Sequence, residues 1–168
     1  MSRARKKQPA VSASADAGFG EHDHHILLLQ GGGALGAYHG GVYEGLAATG
    51  FEPDWIVGIS IGAINAALIA GNPPERRVER LREFWELVSS QAPFVMPESM
   101  DFARPTMNRM AAASAMFLGI PGFFVPRLPP PQFALEGTLA ALSYYDTEPL
   151  RATLEKLVDF DRINAGDV

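Results

Sequence analysis

The sequence predicts an α/β protein with a mostly parallel sheet, and three observations carry the prediction. Two short continuous apolar runs, "HILLLQ" at 25–30 and "DWIVGIS" at 54–60, read as strands buried on both faces. Each passes through glycine into a segment rich in small residues that reads as a helix. Strands alternating with helices in this way build a parallel sheet with right-handed crossovers.

Taken in order, "GGGALGAYHGGVYEGLAATG" (31–50) opens as a glycine loop and becomes a helix ending near Gly50. Gly40, Gly41 and Gly45 weaken that helix intrinsically, and their expected benefit is a close approach to the sheet. "IGAINAALIA" (61–70) reads as a buried helix stopped by Gly71-Asn72-Pro73-Pro74. The segment 73–90 is an amphipathic helix, with Val78, Leu81, Phe84, Trp85 and Val88 on one stripe and a solvated face of Arg and Glu opposite. Pro73 or Pro74 suits its first turn. Residues 91–143 are rich in Met, Phe and Pro. They predict a short helix around 106–118 within an irregular apolar region, either a packed subdomain or a lid facing lipid. The stretch 146–160 predicts a helix capped by Asp146 or Thr147, with Leu150, Leu154, Leu157 and Val158 turned inward. "GFFVP" and "RINAGDV" are weak strand candidates. Because a two-stranded parallel sheet does not hold a domain of this size, the chain is expected to be the N-terminal part of a larger fold or to gain strands from a partner.

The 168 residues suit one domain, and 47% hydrophobic with 20% charged residues is a globular composition. The absence of cysteine excludes disulfides, thiol catalysis and thiolate metal sites. Arg3, Arg5, Lys6 and Lys7 carry +4 of a net charge of -5, which leaves -9 on the rest, an acidic body that argues against nucleic-acid binding. Residues 1–24 read as a disordered leader. The basic start is followed by "QPAVSASADAGFG", which is too polar for a signal peptide. No apolar run reaches the ~20 residues that span a bilayer. A cytoplasmic protein, soluble or peripheral to a membrane, is therefore expected.

The candidate chemistry lies in two glycine motifs. Gly58-Ile59-Ser60-Ile61-Gly62 has the Gly-x-Ser-x-Gly pattern, which chance supplies about 6% of the time in a chain this long if Gly and Ser each make up about 7% of residues. Its context sharpens it, because it falls where a strand run turns into a helix run, as a nucleophile elbow requires. Gly58 and Gly62 remove side chains that would clash as the turn packs, and the helix N-terminus after Ser60 favours developing negative charge. The bland alternative is that Ser60 caps this helix. The second motif, Gly31-Gly32-Gly33-Ala34-Leu35-Gly36, contains Gly-x-Gly-x-x-Gly. As a dinucleotide fingerprint it lacks an acidic residue after the second strand, since Glu52 and Asp54 precede that strand. As a phosphate loop it lacks Gly-Lys-Ser/Thr. As an oxyanion loop it fits, because consecutive glycines let backbone N–H groups converge on one point. No cofactor or metal is expected, and the "EHDHH" run has no companion ligands.

All four histidines, His22, His24, His25 and His39, precede Ser60. A Ser–acid–His triad in the chain order of α/β-hydrolases therefore cannot be completed within these residues. His39 reads as a packed or solvent-facing helix residue.

"GGGALGAYHGGVYEGL" followed by "IVGISIGAINAALIAG" resembles the patatin-like phospholipase family, closely over 26–90 and more loosely through "YYDTEPLRATLEKLVDFDRIN". The resemblance implies a three-layer α/β/α fold and a serine acyl hydrolase of lipid esters that uses a Ser–Asp dyad. It implies that Ser60 is the nucleophile and that Gly31, Gly32, Gly33 and Gly36 form the oxyanion loop. The family's aspartate lies in Asp-Gly-Gly or Asp-Gly-Ala, and none of Asp16, Asp23, Asp54, Asp101, Asp146, Asp159, Asp161 and Asp167 is followed by glycine. Without a base Ser60 keeps its proton, so the 168 residues alone are expected to be inactive, with residues 25–168 forming the N-terminal part of a patatin-like domain. The expected partner is a lipid ester substrate, presented at a membrane surface. Two rival readings remain: an acyltransferase with a similar elbow, and a non-catalytic fragment that binds lipid or a partner through 91–143.

Overall fold

The computed structural model describes residues 24–90 and 104–166. β1 (Ile26–Leu29) leads through the glycine loop and a 3-10 turn (Gly33–Gly36) into α1 (Ala37–Ala47). β2 (Trp55–Gly58), α2 (Ile61–Ala70) and α3 (Pro74–Ser89) follow, then α4 (Arg104–Leu118), β3 (Val125–Pro126), β4 (Tyr145–Asp146), α5 (Glu148–Leu157) and α6 (Phe160–Ala165). The protein is thus an α/β protein, largely helical around a small parallel sheet.

β1 and β2 pair in parallel, in the register Ile26↔Trp55 through Leu29↔Gly58. Period-two alternation sends Leu27, Leu29 and Ile56 to one face and Ile26, Leu28, Trp55 and Val57 to the other. The first set joins a single core with Tyr43, Ile61, Leu68, Ile69, Leu81, Phe84, Leu157 and Val158. The second set is exposed, Leu28 at 73%. The expectation that both strands are buried on both faces is therefore corrected. The described helices that build the core all pack on the Leu29 face, so apolar residues on the other face are open.

α3 presents the expected stripe, with Leu81 and Phe84 fully buried and Val78, Trp85 and Val88 packed against the core. Burying each such side chain contributes about 1.5–3 kcal/mol. Its polar face is not wholly solvated, which is a second correction. Arg77 is buried, donating from Nε to the Asn72 carbonyl at 3.0 Å and from Nη1 to the Tyr43 hydroxyl at 3.3 Å. It thereby ties α1 to the α2–α3 turn.

The chain after residue 143 differs from the single helix expected over 146–160. α5 ends at Leu157, Val158 is extended, and Asp159 starts α6 by accepting from the Asp161 and Arg162 N–H groups at 3.0 and 3.1 Å. The weak strand candidate "RINAGDV" is instead largely α6, whereas "GFFVP" does supply β3, antiparallel to β4. At the other end of α5, Asp146 accepts from the Glu148 N–H at 3.0 Å, while Thr147 occupies the cap position with no side-chain bond. The α5–α6 junction docks on the end of α2. Asn72 Nδ2 donates to the Leu68 and Leu157 carbonyls, each at 2.8 Å, and the Asp159 N–H donates to the Gly71 carbonyl at 3.0 Å.

The helix foreseen around 106–118 forms as α4. Residues 91–103 of the apolar region, and all but the last residue of the 1–24 leader, lie outside the described residues. From α4 onward many apolar side chains remain exposed, among them Met116, Phe117, Leu118, Phe133 and Leu135.

Candidate active site

β2 ends at Gly58, and α2 begins at Ile61, leaving two residues to reverse the chain. Ser60 makes that reversal at φ 56°, ψ −124°, and among the described residues no other non-glycine has a positive φ. Such a conformation costs about 1–3 kcal/mol and persists only where surrounding packing dictates it. Here the packing is severe. A Cβ at Gly62 would lie 2.1 Å from the Leu29 carbonyl oxygen, and one at Gly58 would lie 2.3 Å from the Gly62 carbonyl oxygen. Only glycine on both sides lets the turn close. Ser60 stands at the cap position of α2, yet its side chain makes no capping hydrogen bond. Its hydroxyl is free for another role and the residue is exposed.

The glycine loop comes to the same place because β1 and β2 are parallel neighbours that end together. A Cβ at Gly31 would sit 3.3 Å from the Ser60 Cβ, and one at Gly36 would sit 2.6 Å from Cγ1 of Ile61. Gly32 and Gly33 turn the loop with φ 145° and 57°. The N–H groups of Gly31, Gly32, Gly33 and Ala34 have no acceptor among the described residues, and neither does that of Ile61 at the start of α2. Unpaired amides next to a helix N-terminus favour an anion. Ile61 was not singled out in the sequence. The signal for it was positional, since the residue after an elbow nucleophile presents its own N–H.

An open hollow of about 360 Å³, lined by Leu28, Leu29, Gln30, Val57 and Ile59, lies beside the elbow. Leu35 in the glycine loop and Tyr38 in the first turn of α1 are both about three-quarters exposed. His39 lies on α1, half-buried, with Nδ1 3.2 Å from Asn65 Nδ2. It is a packed residue, one of the two placements the sequence left open for it. His25 lies beside Asp54, Nδ1 to Oδ2 3.6 Å, and its N–H donates to the same carboxylate at 2.6 Å. His22 falls outside the described residues.

The described aspartates near structural junctions are engaged elsewhere: Asp54 with His25, Asp146 with Arg127 at 3.2 Å and with the Glu148 N–H, and Asp159 as the α6 cap. Among the described residues, no side chain hydrogen-bonds the Ser60 hydroxyl. No group of metal-ligating side chains occurs among them. No helix among them is long and apolar enough to cross a membrane.

A parallel β-loop-α-β-turn-α unit, with an exposed serine on its strained second turn and a glycine loop against it, defines an α/β protein. The chain belongs to the patatin-like phospholipase family, whose model, described as Patatin-like phospholipase, matches residues 27–166. Membership places it among lipid hydrolases at the level of the family. None of the curated proteins and none of the solved structures compared with it matches the chain.

Proposed function

We propose that the protein is a serine acyl hydrolase of lipid esters, with Ser60 as nucleophile and the Gly31–Gly36 loop as oxyanion hole. The observation that carries the reading is the positive φ of Ser60 beside a loop whose amides are unpaired. Strain of this kind, held in place by glycines packed against backbone, is the mark of an elbow. In the reaction, Ser60 Oγ attacks the ester carbonyl carbon and loses its proton to a base. The carbonyl oxygen becomes an oxyanion held by the loop and Ile61 N–H groups. Collapse expels the alcohol, which takes the proton back from the base. Water, deprotonated by the same base, then releases the acid from the acyl-enzyme.

The base in this reading is an aspartate, as in the family's dyad, and none of the eight aspartates named above is assigned the role, since none lies in an Asp-Gly-Gly or Asp-Gly-Ala motif. Residues 25–168 act as part of a three-layer domain, and the apolar surface around the elbow receives the lipid at a membrane surface. Labelling of the full-length protein by a fluorophosphonate probe tests the reading. Labelling lost in Ser60→Ala is expected, and labelling unchanged in that variant refutes it.

A second reading, non-catalytic binding of lipid, is favoured by the exposed apolar side chains from Met110 to Tyr144. It predicts co-sedimentation with phosphatidylcholine vesicles and no Ser60-dependent hydrolysis of p-nitrophenyl butyrate.

A further inference from the structure

We propose that Asn65 is a positioning residue that holds the Gly31–Gly36 loop against Ser60; the inference rests on the reading of that loop as the oxyanion hole. Asn65 lies on α2, five residues after Ser60, and is wholly buried. The rest of α2 is Gly, Ala and Ile with one Leu, so a polar side chain here is an exception that packing does not explain. Its amide joins three other segments. Nδ2 donates to the Gly36 carbonyl at 2.9 Å, at the end of the loop, and stands 3.2 Å from Nδ1 of His39 on α1. Oδ1 accepts from Nε1 of Trp85 on α3 at 3.0 Å.

The neighbours decide which way the amide points. An indole N–H can only donate, so it takes the oxygen; a backbone carbonyl can only accept, so it takes the nitrogen. The second Nδ2 hydrogen then faces His39 Nδ1, 3.2 Å away. All of the amide's hydrogens are used, which is the condition for a buried polar group to be tolerated.

The bond to Gly36 matters because the loop has few other anchors. β1 holds its start. The loop's carbonyls accept from Leu35 N–H, at Gly32 (3.3 Å), and from Ala37 N–H, at Ala34 and Leu35, so these bonds hold the turn to itself and to α1, and the Gly31–Ala34 amides are unpaired among the described residues. At its far end Gly36 is pressed on Ile61 and bonded by Asn65, both on α2, the helix that directly follows Ser60. Nucleophile and oxyanion donors are thus referred to one rigid body. Misplacing a reacting group by about 1 Å can cost about 10²-fold in rate.

The test compares Asn65→Leu, which keeps the volume and removes the amide, with Gly41→Ala on the exposed side of α1, where no atom lies within 4 Å of the added Cβ. In full-length Asn65→Leu, exchange of the Leu35 and Ala37 backbone amides, which are bonded to loop carbonyls, is expected to rise at least about tenfold while that of β2 is unchanged. The kcat for p-nitrophenyl butyrate is expected to fall about 10- to 100-fold with KM within about threefold. Gly41→Ala is expected to leave loop exchange unchanged and kcat within about threefold. Unaltered loop exchange in folded Asn65→Leu overturns the proposal. Raised loop exchange in a protein whose wild type has no Ser60-dependent turnover supports the positioning role and refutes the hydrolase reading. Should Asn65→Leu fail to fold, the wild-type Asn65 side-chain amide decides. Exchange as slow as that of interior helix amides supports the proposal, and exchange as fast as that of exposed Gln132 overturns it.

Discussion

The Cα of Gly62 is packed against β1 so closely that a Cβ there would fall 2.1 Å from the Leu29 carbonyl oxygen. That contact holds α2 against β1 and forces Ser60 into its turn. Gly62→Ala requires backbone to move, and overpacking of this kind costs about 3 kcal/mol. A drop in Tm of about 6–12 °C is expected by calorimetry for a protein of this size. Gly41→Ala is the control, since no atom lies within 4 Å of its Cβ and its φ is not positive. That change, in an exposed part of α1, is expected to stabilise by about 0.4–1 kcal/mol.

Ser60 sets the opposite trade. At φ 56° it occupies backbone space that glycine takes more readily. Ser60→Gly is expected to raise unfolding free energy by about 1 kcal/mol, measured by urea titration, while abolishing fluorophosphonate labelling. A loss of stability in this variant would show that the hydroxyl contributes to the fold.

Asn72, itself buried, holds the α5–α6 junction by donating to two carbonyls, those of Leu68 and Leu157. Asn72→Ala leaves both without this donor and is expected to cost about 2–4 kcal/mol. Hydrogen exchange is expected to rise over 157–166 more than over β1 and β2.

Glu83 carries the acid sensitivity that can be assigned to a single carboxylate. The hydrogen bond from Lys156 of α5, opposed by slight burial and aided by the hydrogen bond from Arg80, holds its carboxyl below the usual glutamate value of 4.5. A carboxylate lowered in the folded state stabilises above the unfolded value, and that stability is lost as pH falls through the folded value. Glu83→Gln is therefore expected to reduce the loss of urea midpoint between pH 7 and pH 3. The pair is partly exposed, so the difference is expected to be small and to shrink further in 1 M salt.

Much of the elbow was legible before the structure. Local patterns decide strands, helix starts and glycine turns, and β1, β2, α1, α2 and α3 fell where apolar runs and glycines put them. The juxtaposition of Gly31 with Ser60 was also inferable, because parallel neighbours end at the same edge. Other features were not legible. Val158 broke the expected 146–160 helix because Asp159 found two backbone N–H groups to cap, a choice that periodicity does not register. Arg77 looked like one more charge on a solvated face, and its burial depends on Tyr43, 34 residues earlier. Asn65 was not singled out in the sequence, and its role depends on Gly36 and Trp85, 29 and 20 residues away.

By itself, then, the sequence determined the α/β class, the serine on its strand-to-helix turn and the glycine loop one strand earlier. These depend on backbone conformation and on residues close together in the chain. The tertiary structure alone decided the strained φ of Ser60, the open face of Leu28 and Val57, and the joining of Gly36, His39 and Trp85 on one buried amide. Those depend on which distant segments meet, and a hydrogen-bond partner 20 or 29 residues away leaves no periodic trace.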